Sequence, residues 1–310
     1  MSRAIRDLAL ECGFQKVGFA QADALEEEGR RLEMWLGLGY QGEMRWMERE
    51  PSMRADPRKL FDGARSVIAL AMNYYTPHEH CGAPGTGKVS RYAWGDDYHE
   101  VLRDRMRELL VKIEELIPGV HGKICVDTSP VLDKAWAVRA GIGWLGKHTN
   151  VITTDLGSWV FLGEILLDAE LEYDSVRVED HCGSCTACLD ACPTGAITEP
   201  YLVDSNKCIS YATIELRSED LPEKITENLE GWLYGCDICQ DVCPWNRFQE
   251  ITDERSFEPR PGNVNADLDD LLGLSQEEYA ARFRKSAMKR TKLSGLKRNA
   301  RALLGEGPEV

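Results

Sequence analysis

Nothing in this sequence reads as a route into or through a membrane. The start, MSRAIRDLALECGFQ, holds no apolar run long enough for a secretory leader and no paired arginines. No stretch reaches the roughly 18 uninterrupted apolar residues of a spanning helix. A cytoplasmic protein is expected, in a compartment that keeps thiols reduced. Basic residues are scarce too: 37 Lys and Arg face 52 Asp and Glu, for a net charge of −15. That field repels polyanions, so any nucleic-acid contact has to come from a local basic patch. Internal repeats are also missing, apart from two short cysteine runs.

Those runs carry the strongest signal. CGSCTACLDACP places Cys182, Cys185, Cys188 and Cys192 before a proline, and CDICQDVCP places Cys236, Cys239 and Cys243 before another. The first follows the C-x2-C-x2-C-x3-C-P spacing of bacterial ferredoxins, whose fourth cysteine serves the other cluster. Cys208, between the runs, brings the count to the eight thiolates that two four-iron clusters need. Crossed ligation predicts one cluster on Cys182, Cys185, Cys188 and Cys243, and a second on Cys192, Cys208, Cys236 and Cys239. Structural zinc also uses C-x2-C pairs, but not this spacing repeated with its prolines. Cys12, Cys81 and Cys125 remain, and are expected to be ordinary small apolar residues.

Around this module, 310 residues allow for real cores. Residues 1–175 alternate helical and extended patterns: a helix from Ile5, a strand over Lys16–Ala20, a helix over Asp23–Leu38 and an apolar strand over Ser66–Tyr74. A long amphipathic helix over Tyr98–Ile117 follows, then strands at Lys123–Val126, Asn150–Thr153 and Trp159–Leu167. Residues 176–250 are rich in Cys, Gly and Pro, as suits a unit ordered by metal. Residues 251–310 form a helical tail, with a capping box predicted at Ser275 and Glu278. From Arg282 to Arg301 it carries nine Lys or Arg and no Asp or Glu. Its apolar positions, Met288, Leu293, Leu296, Ala300, Leu303 and Leu304, share a face that requires a partner surface.

Two further features bear on chemistry. Gly141, Gly143 and Gly146 match G-x-G-x-x-G, but a helical pattern precedes them where a strand is required, which excludes nicotinamide binding. Close backbone approach to a large planar cofactor stays open. Asp127 follows an apolar strand, where desolvation would raise its pKa and suit a proton donor. Ser129 as N-cap with Pro130 at the first helical position explains the same segment without catalysis.

As a set, CGSCTACLDACPTGAI, KCISYATIEL, YGCDICQDVCPWN, CVDTSP, GIGWLGKHTN and SRYAWGDDYH resemble the epoxyqueuosine reductase family along nearly the whole chain. The resemblance implies an α/β (α+β) fold: a nitroreductase-like cobalamin-binding domain, a two-cluster ferredoxin-like domain and a short basic helical tail. It implies reduction of epoxyqueuosine to queuosine at the wobble position of tRNA, with cobalamin and two 4Fe-4S clusters as cofactors. Asp127 matches the family's proton donor. Arg54, Ser90, Ile152, Leu162 and Ser210, with Asp127, match cobalamin contacts. The anticodon stem-loop would meet Arg217, Lys289, Arg290, Lys297 and Arg298, whose cations can neutralise phosphates. Many members continue into further helical repeats, whereas this chain stops at Val310, which gives the tail a larger share of that contact. A flavodoxin or ferredoxin is implied as electron donor, and a monomer as the working unit. The competing readings are a dehalogenase-like corrinoid reductase of a small molecule and a pure electron carrier. About 175 residues of upstream α/β domain exceed what a carrier's docking requires.

Overall fold

The computed structural model describes residues 1–174 and 177–305. The expected boundary at 175/176 and the end at Val310 lie outside the described residues. Helix α1 (Ser2–Glu11), strand β1 (Lys16–Gln21), helix α2 (Glu26–Gly37) and strand β2 (Ser66–Asn73) open the chain. After β3 (Thr86–Val89) come the long α3 (Tyr98–Leu116), β4 (Gly122–Cys125), α4 (Asp133–Arg139) and β5 (Val160–Leu167). The extended pattern at Asn150–Thr153 contracts to Val151–Ile152, which pairs with Trp144–Leu145 in a hairpin.

Strands β1, β2, β5 and β4 form one antiparallel sheet in that order. β2 is buried at every position. Its Ile68, Leu70 and Met72 join one core, and its Val67, Ala69 and Ala71 join another on the opposite face. A strand covered on both faces reads as a continuous apolar run, which is why SVIALAMN shows no alternation. Leu102, Met106, Leu109 and Ile113 of α3 cover the first face, each fully buried. At 3.6 residues per turn they make one stripe, each side chain contributing about 2 kcal/mol of burial. Trp136 and Ala137 of α4 cover the second face. Gly18 permits that contact, because a Cβ there would lie 2.1 Å from the Ala140 carbonyl oxygen.

The remaining chain folds back on the first part. Helix α5 (Ile209–Ile214) leads to β6 (Trp232–Tyr234), which runs parallel to β3, while β7 (Asn265–Asp267) pairs with β3 from its other side. Helices α6 (Gln276–Arg282) and α7 (Lys292–Leu304) close the chain, α6 with the expected Ser275–Glu278 capping box. The three expected spans thus share a sheet. The apolar face of the tail finds its partner within the molecule: Met288, Leu296 and Ala300 pack with Val89, Trp94, Leu233 and Tyr234. No helix among the described residues is long and apolar enough to cross a membrane.

This packing overturns one sequence expectation. Arg298 does not face solvent for phosphate: it is only 7% exposed, and its guanidinium donates to the carbonyls of Ala212, Leu216 and Ser218. Burial lowers its pKa to about 10. The helical period placed it beside the apolar stripe, but only the fold brings carbonyls from the α5 region to meet it. Arg298→Ala would leave these carbonyls without a donor and is expected to cost about 3 kcal/mol, read as a lower denaturation midpoint.

Candidate active site

Past β4 the backbone turns sharply. Asp127 adopts φ 45°, a left-handed conformation uncommon outside glycine. Its N–H donates to Asp133 Oδ1 at 3.2 Å, and Thr128 Oγ1 donates to the Val126 carbonyl. The expected Ser129 cap is absent. α4 begins only at Asp133, and Leu132 precedes it without a side-chain cap. Ser129 instead bonds toward the Cys125 sulfur, so residues 127–132 form a loop in place of a helical turn.

The N-terminus of α3 supplies the partners. Asp97 caps the helix, accepting from the His99 N–H at 3.1 Å and from His99 Nδ1 at 2.7 Å. His99 Nε2 and the Tyr98 hydroxyl both donate to Asp127 Oδ2 at 2.9 Å. Stacking fixes the rings: Tyr98 lies on Phe161 with centroids 4.4 Å apart, and His99 lies on Tyr98 at 4.0 Å. Burial opposes charge on His99, but hydrogen bonds to Asp127 and Asp97 prevail and raise its pKa to about 9. The expected upward shift of Asp127 is also reversed. Burial pushes its pKa up, yet the His99 and Tyr98 donors outweigh that and hold it below its ordinary value. Its side chain is nonetheless 61% exposed, open to a group arriving from solvent.

Lys134 follows Asp133 in the first turn of α4. Its ammonium donates to Asn150 Oδ1 at 2.9 Å. It is exposed, and the neighbouring carboxyls of Asp127 and Asp133 stabilise its charge. Behind Asp127, Asp133 is pushed up to about 6, first by burial and then by Asp127. The motif DDYH was on view in the sequence, but its Tyr98 and His99 were not singled out. Nor were Asp97, Lys134, Asp133 and Glu164, because each gains meaning only from neighbours distant in the chain.

The cysteines sort into two groups by mutual electrostatic influence. Cys188 feels Cys182, Cys243 and Cys185. Cys236 feels Cys208 and Cys239, while Cys239 feels Cys208 and Cys192 and, more weakly, Cys188. These influences run mostly within the expected crossed quartets, with a weaker one between Cys239 and Cys188. Burial raises the pKa of the Cys188 thiol to about 11 and pushes Cys236 and Cys239 up as well. Such thiols are costly to ionise unless iron compensates the charge, so the donor set fits clusters. Among the described residues, no three His, Cys, Asp or Glu side chains are arranged to hold a single metal ion. Lys147 Nζ braces the first run by donating to the carbonyls of Gly183 and Cys185. Of the remaining cysteines, Cys12 and Cys125 are buried as expected, but Cys81 is exposed.

The other expected positions are spread over several elements. Arg54 is buried and donates to the Trp46 carbonyl at 2.9 Å, with its Nε left without a partner. That orphan donor fits a polar group entering from outside, as a cobalamin amide would. Ser90 is buried, and its hydroxyl is engaged by the Asp237 carboxylate between two cysteines of the second run. Ile152 is fully buried against Trp144 and Cys243, Leu162 is half-buried, and Ser210 lies in α5. The Gly143 approach is to protein and not to a planar cofactor: a Cβ there would lie 2.1 Å from the Ile152 carbonyl oxygen. At the tail, Arg290 is paired twice with Glu215 at 2.8 Å. Arg217 donates to the carbonyls of Ile214, Thr291 and Arg290. Lys289 is exposed and Lys297 half-buried.

Known proteins share both halves of this arrangement. Residues 54–128 match the family model described as epoxyqueuosine reductase QueG, DUF1730, and residues 181–246 match the 4Fe-4S double cluster binding domain. An epoxyqueuosine reductase of Synechocystis is 50% identical over 280 residues, covering 90% of this chain and 96% of its own. That of Salmonella typhimurium is 41% identical, covering 99% of this chain and 80% of its own. A crystal structure of epoxyqueuosine reductase with an epoxyqueuosine-modified tRNA-Tyr stem loop superposes with a TM-score of 0.90 at 33% identity, covering 98% of this chain and 80% of that one. The Bacillus subtilis enzyme, solved with its catalytic aspartate loop swung out of the active site, matches with the same TM-score and coverage at 32% identity. By fold, by both domain matches and by identity along almost its full length, the chain belongs to the epoxyqueuosine reductase family.

Proposed function

We propose that this chain reduces epoxyqueuosine to queuosine in tRNA, with two 4Fe-4S clusters and cobalamin as its cofactors. The observation that carries this reading is Asp127, held by His99 and Tyr98 in a chain whose cysteines follow a two-cluster spacing. The acid-bearing and cysteine-bearing parts pack together, with Trp144 and Ile152 against Cys243. The division at about 175 and 250 separates an acid-bearing part from an electron-bearing part, even though they share a core. Cys182, Cys185, Cys188 and Cys243 hold one cluster; Cys192, Cys208, Cys236 and Cys239 hold the other. Arg54, Ile152, Leu162 and Ser210 border the corrinoid, and Ser90 acts through Asp237.

Removing the epoxide oxygen breaks two C–O bonds, forms a C=C bond and releases water, which takes two electrons and two protons. Reduced cobalamin supplies the electrons to the substrate carbon when bound. Asp127 delivers a proton to the departing oxygen. At neutral pH that proton rests on His99, which both flanking carboxylates keep cationic. Substrate seated over the exposed Asp127 removes water from it, disfavours its charge and draws the proton across. The Asp127 turn is the counterpart of the loop that swings out in the Bacillus subtilis enzyme. Lys289 and Lys297 meet tRNA phosphates; Arg290 and Arg217 shape that surface through their protein contacts. The electron donor is a low-potential flavodoxin or ferredoxin.

The test is incubation of reconstituted protein, cobalamin and a low-potential reductant with epoxyqueuosine-containing tRNA, followed by nucleoside analysis. Queuosine is the expected product. Unchanged epoxyqueuosine beside a turned-over small halogenated substrate would transfer the reading to a dehalogenase-like reductase. A pH profile provides a second check. The raised His99 pKa means its proton is present below about 9 and lost above it. Single-turnover rates are therefore expected to fall as pH rises through about 9, and His99→Asn is expected to abolish that limb and lower the rate about 10- to 100-fold.

A further inference from the structure

Glu164 is an anomaly in the core. It stands in the middle of β5, fully buried, opposite Ala69 of β2 and Cys125 of β4. Its strand neighbours on the same face, Leu162 and Leu166, pack into the apolar core beneath α4. No lysine or arginine pairs with it among the described residues, and neither carboxyl oxygen finds a hydrogen-bond donor. The group that meets it is another carboxyl, that of Asp133 at the start of α4. A fully buried carboxyl and a half-buried one that interact cannot both ionise without repulsion, and they bond only by sharing a proton.

Asp133 also accepts the N–H of Asp127. The pair therefore lies directly behind the left-handed turn that presents the acid. We propose that Asp133 and Glu164 form a proton-sharing latch: one proton between them holds Asp133 in place to accept the Asp127 N–H, and its loss releases the turn. Glu164 is thus a positioning residue, acting through Asp133 and never touching substrate. The proposal rests on the reading of Asp127 as the acid, but the latch itself needs neither tRNA nor cobalamin to operate.

The electrostatics agree. Burial and then Asp133 raise the pKa of Glu164 well above its ordinary value, so it stays neutral when Asp133 ionises. The charged and titratable groups acting on the pair are Asp127 at the loop, Arg54, Lys134 beside Asp133, Tyr98 on α3 and Cys125 on β4. The sign follows. A carboxyl whose pKa is raised by folding stabilises the closed loop while protonated, and that contribution is lost as pH rises.

Hydrogen exchange of the full, cluster-loaded chain without tRNA or cobalamin tests this, read at residues 126–133 and corrected for intrinsic rates. Glu164→Gln keeps a donor toward Asp133 but cannot ionise; Glu164→Met keeps the length and has no donor. At about pH 7, Glu164→Gln is expected to match the wild type within about threefold, and Glu164→Met to lose about 10-fold or more of its protection. At about pH 9.5 the wild type is expected to exchange about 10-fold faster than Glu164→Gln. Exchange in the α3 core reports whether each variant has folded. If the wild type and Glu164→Gln behave alike at both pH values, or a folded Glu164→Met is as protected as the wild type, the latch is wrong. Because no turnover is measured, these outcomes stand apart from any failure to reduce epoxyqueuosine.

Discussion

Asp127→Asn is expected to lower single-turnover reduction by about 100-fold or more while leaving tRNA affinity unchanged. The amide oxygen still accepts from Tyr98 and His99, so the turn and the stack are preserved. What disappears is the carboxyl that passes the proton on. The substitution also removes one of the two carboxylates that keep His99 cationic, leaving Asp97 alone. The His99 titration is therefore expected to shift down from about 9 toward its ordinary range. A variant with slow turnover but an unmoved histidine would mean that His99 is not coupled to Asp127. A variant with normal turnover would assign the acid elsewhere.

The second large effect concerns the cysteine that stands apart from both runs. Cys208→Ala is expected to cut iron from about eight to about four per chain and to stop electron delivery. Cys208 directly precedes α5 and feels the Cys192 thiol, while Cys236 and Cys239 feel Cys208 in turn. The loss should be selective: Cys182, Cys185, Cys188 and Cys243 keep their own neighbours. Full iron content with retained activity would remove Cys208 from the ligand set and leave the second cluster one thiolate short. Stem-loop binding in this variant checks that the surface has survived.

Much of the fold was legible because its causes are local. The period of α3, the continuous apolar run of β2 and the Ser275–Glu278 cap each depend on residues a few positions apart. Segments 127–132 were misread for the opposite reason. Ser129-Pro130 has the local chemistry of a helix start, but the Asp133 carboxyl holds the backbone in a loop. The tail shows the same division: its apolar stripe was readable, its partner strand was not. Arg298 looked like a phosphate ligand until α5 carbonyls surrounded it.

The sequence by itself determined the cysteine chemistry, because ligand spacing within a run is a property of a few consecutive residues. The acid role of Asp127 came from the family resemblance, since its own segment also reads as a helix start. Only the tertiary structure decided the protonation of that acid. Its pKa is held down by His99 and Tyr98, 28 and 29 residues away in the chain. Electrostatic energy depends on distance in space, and sequence separation does not encode it.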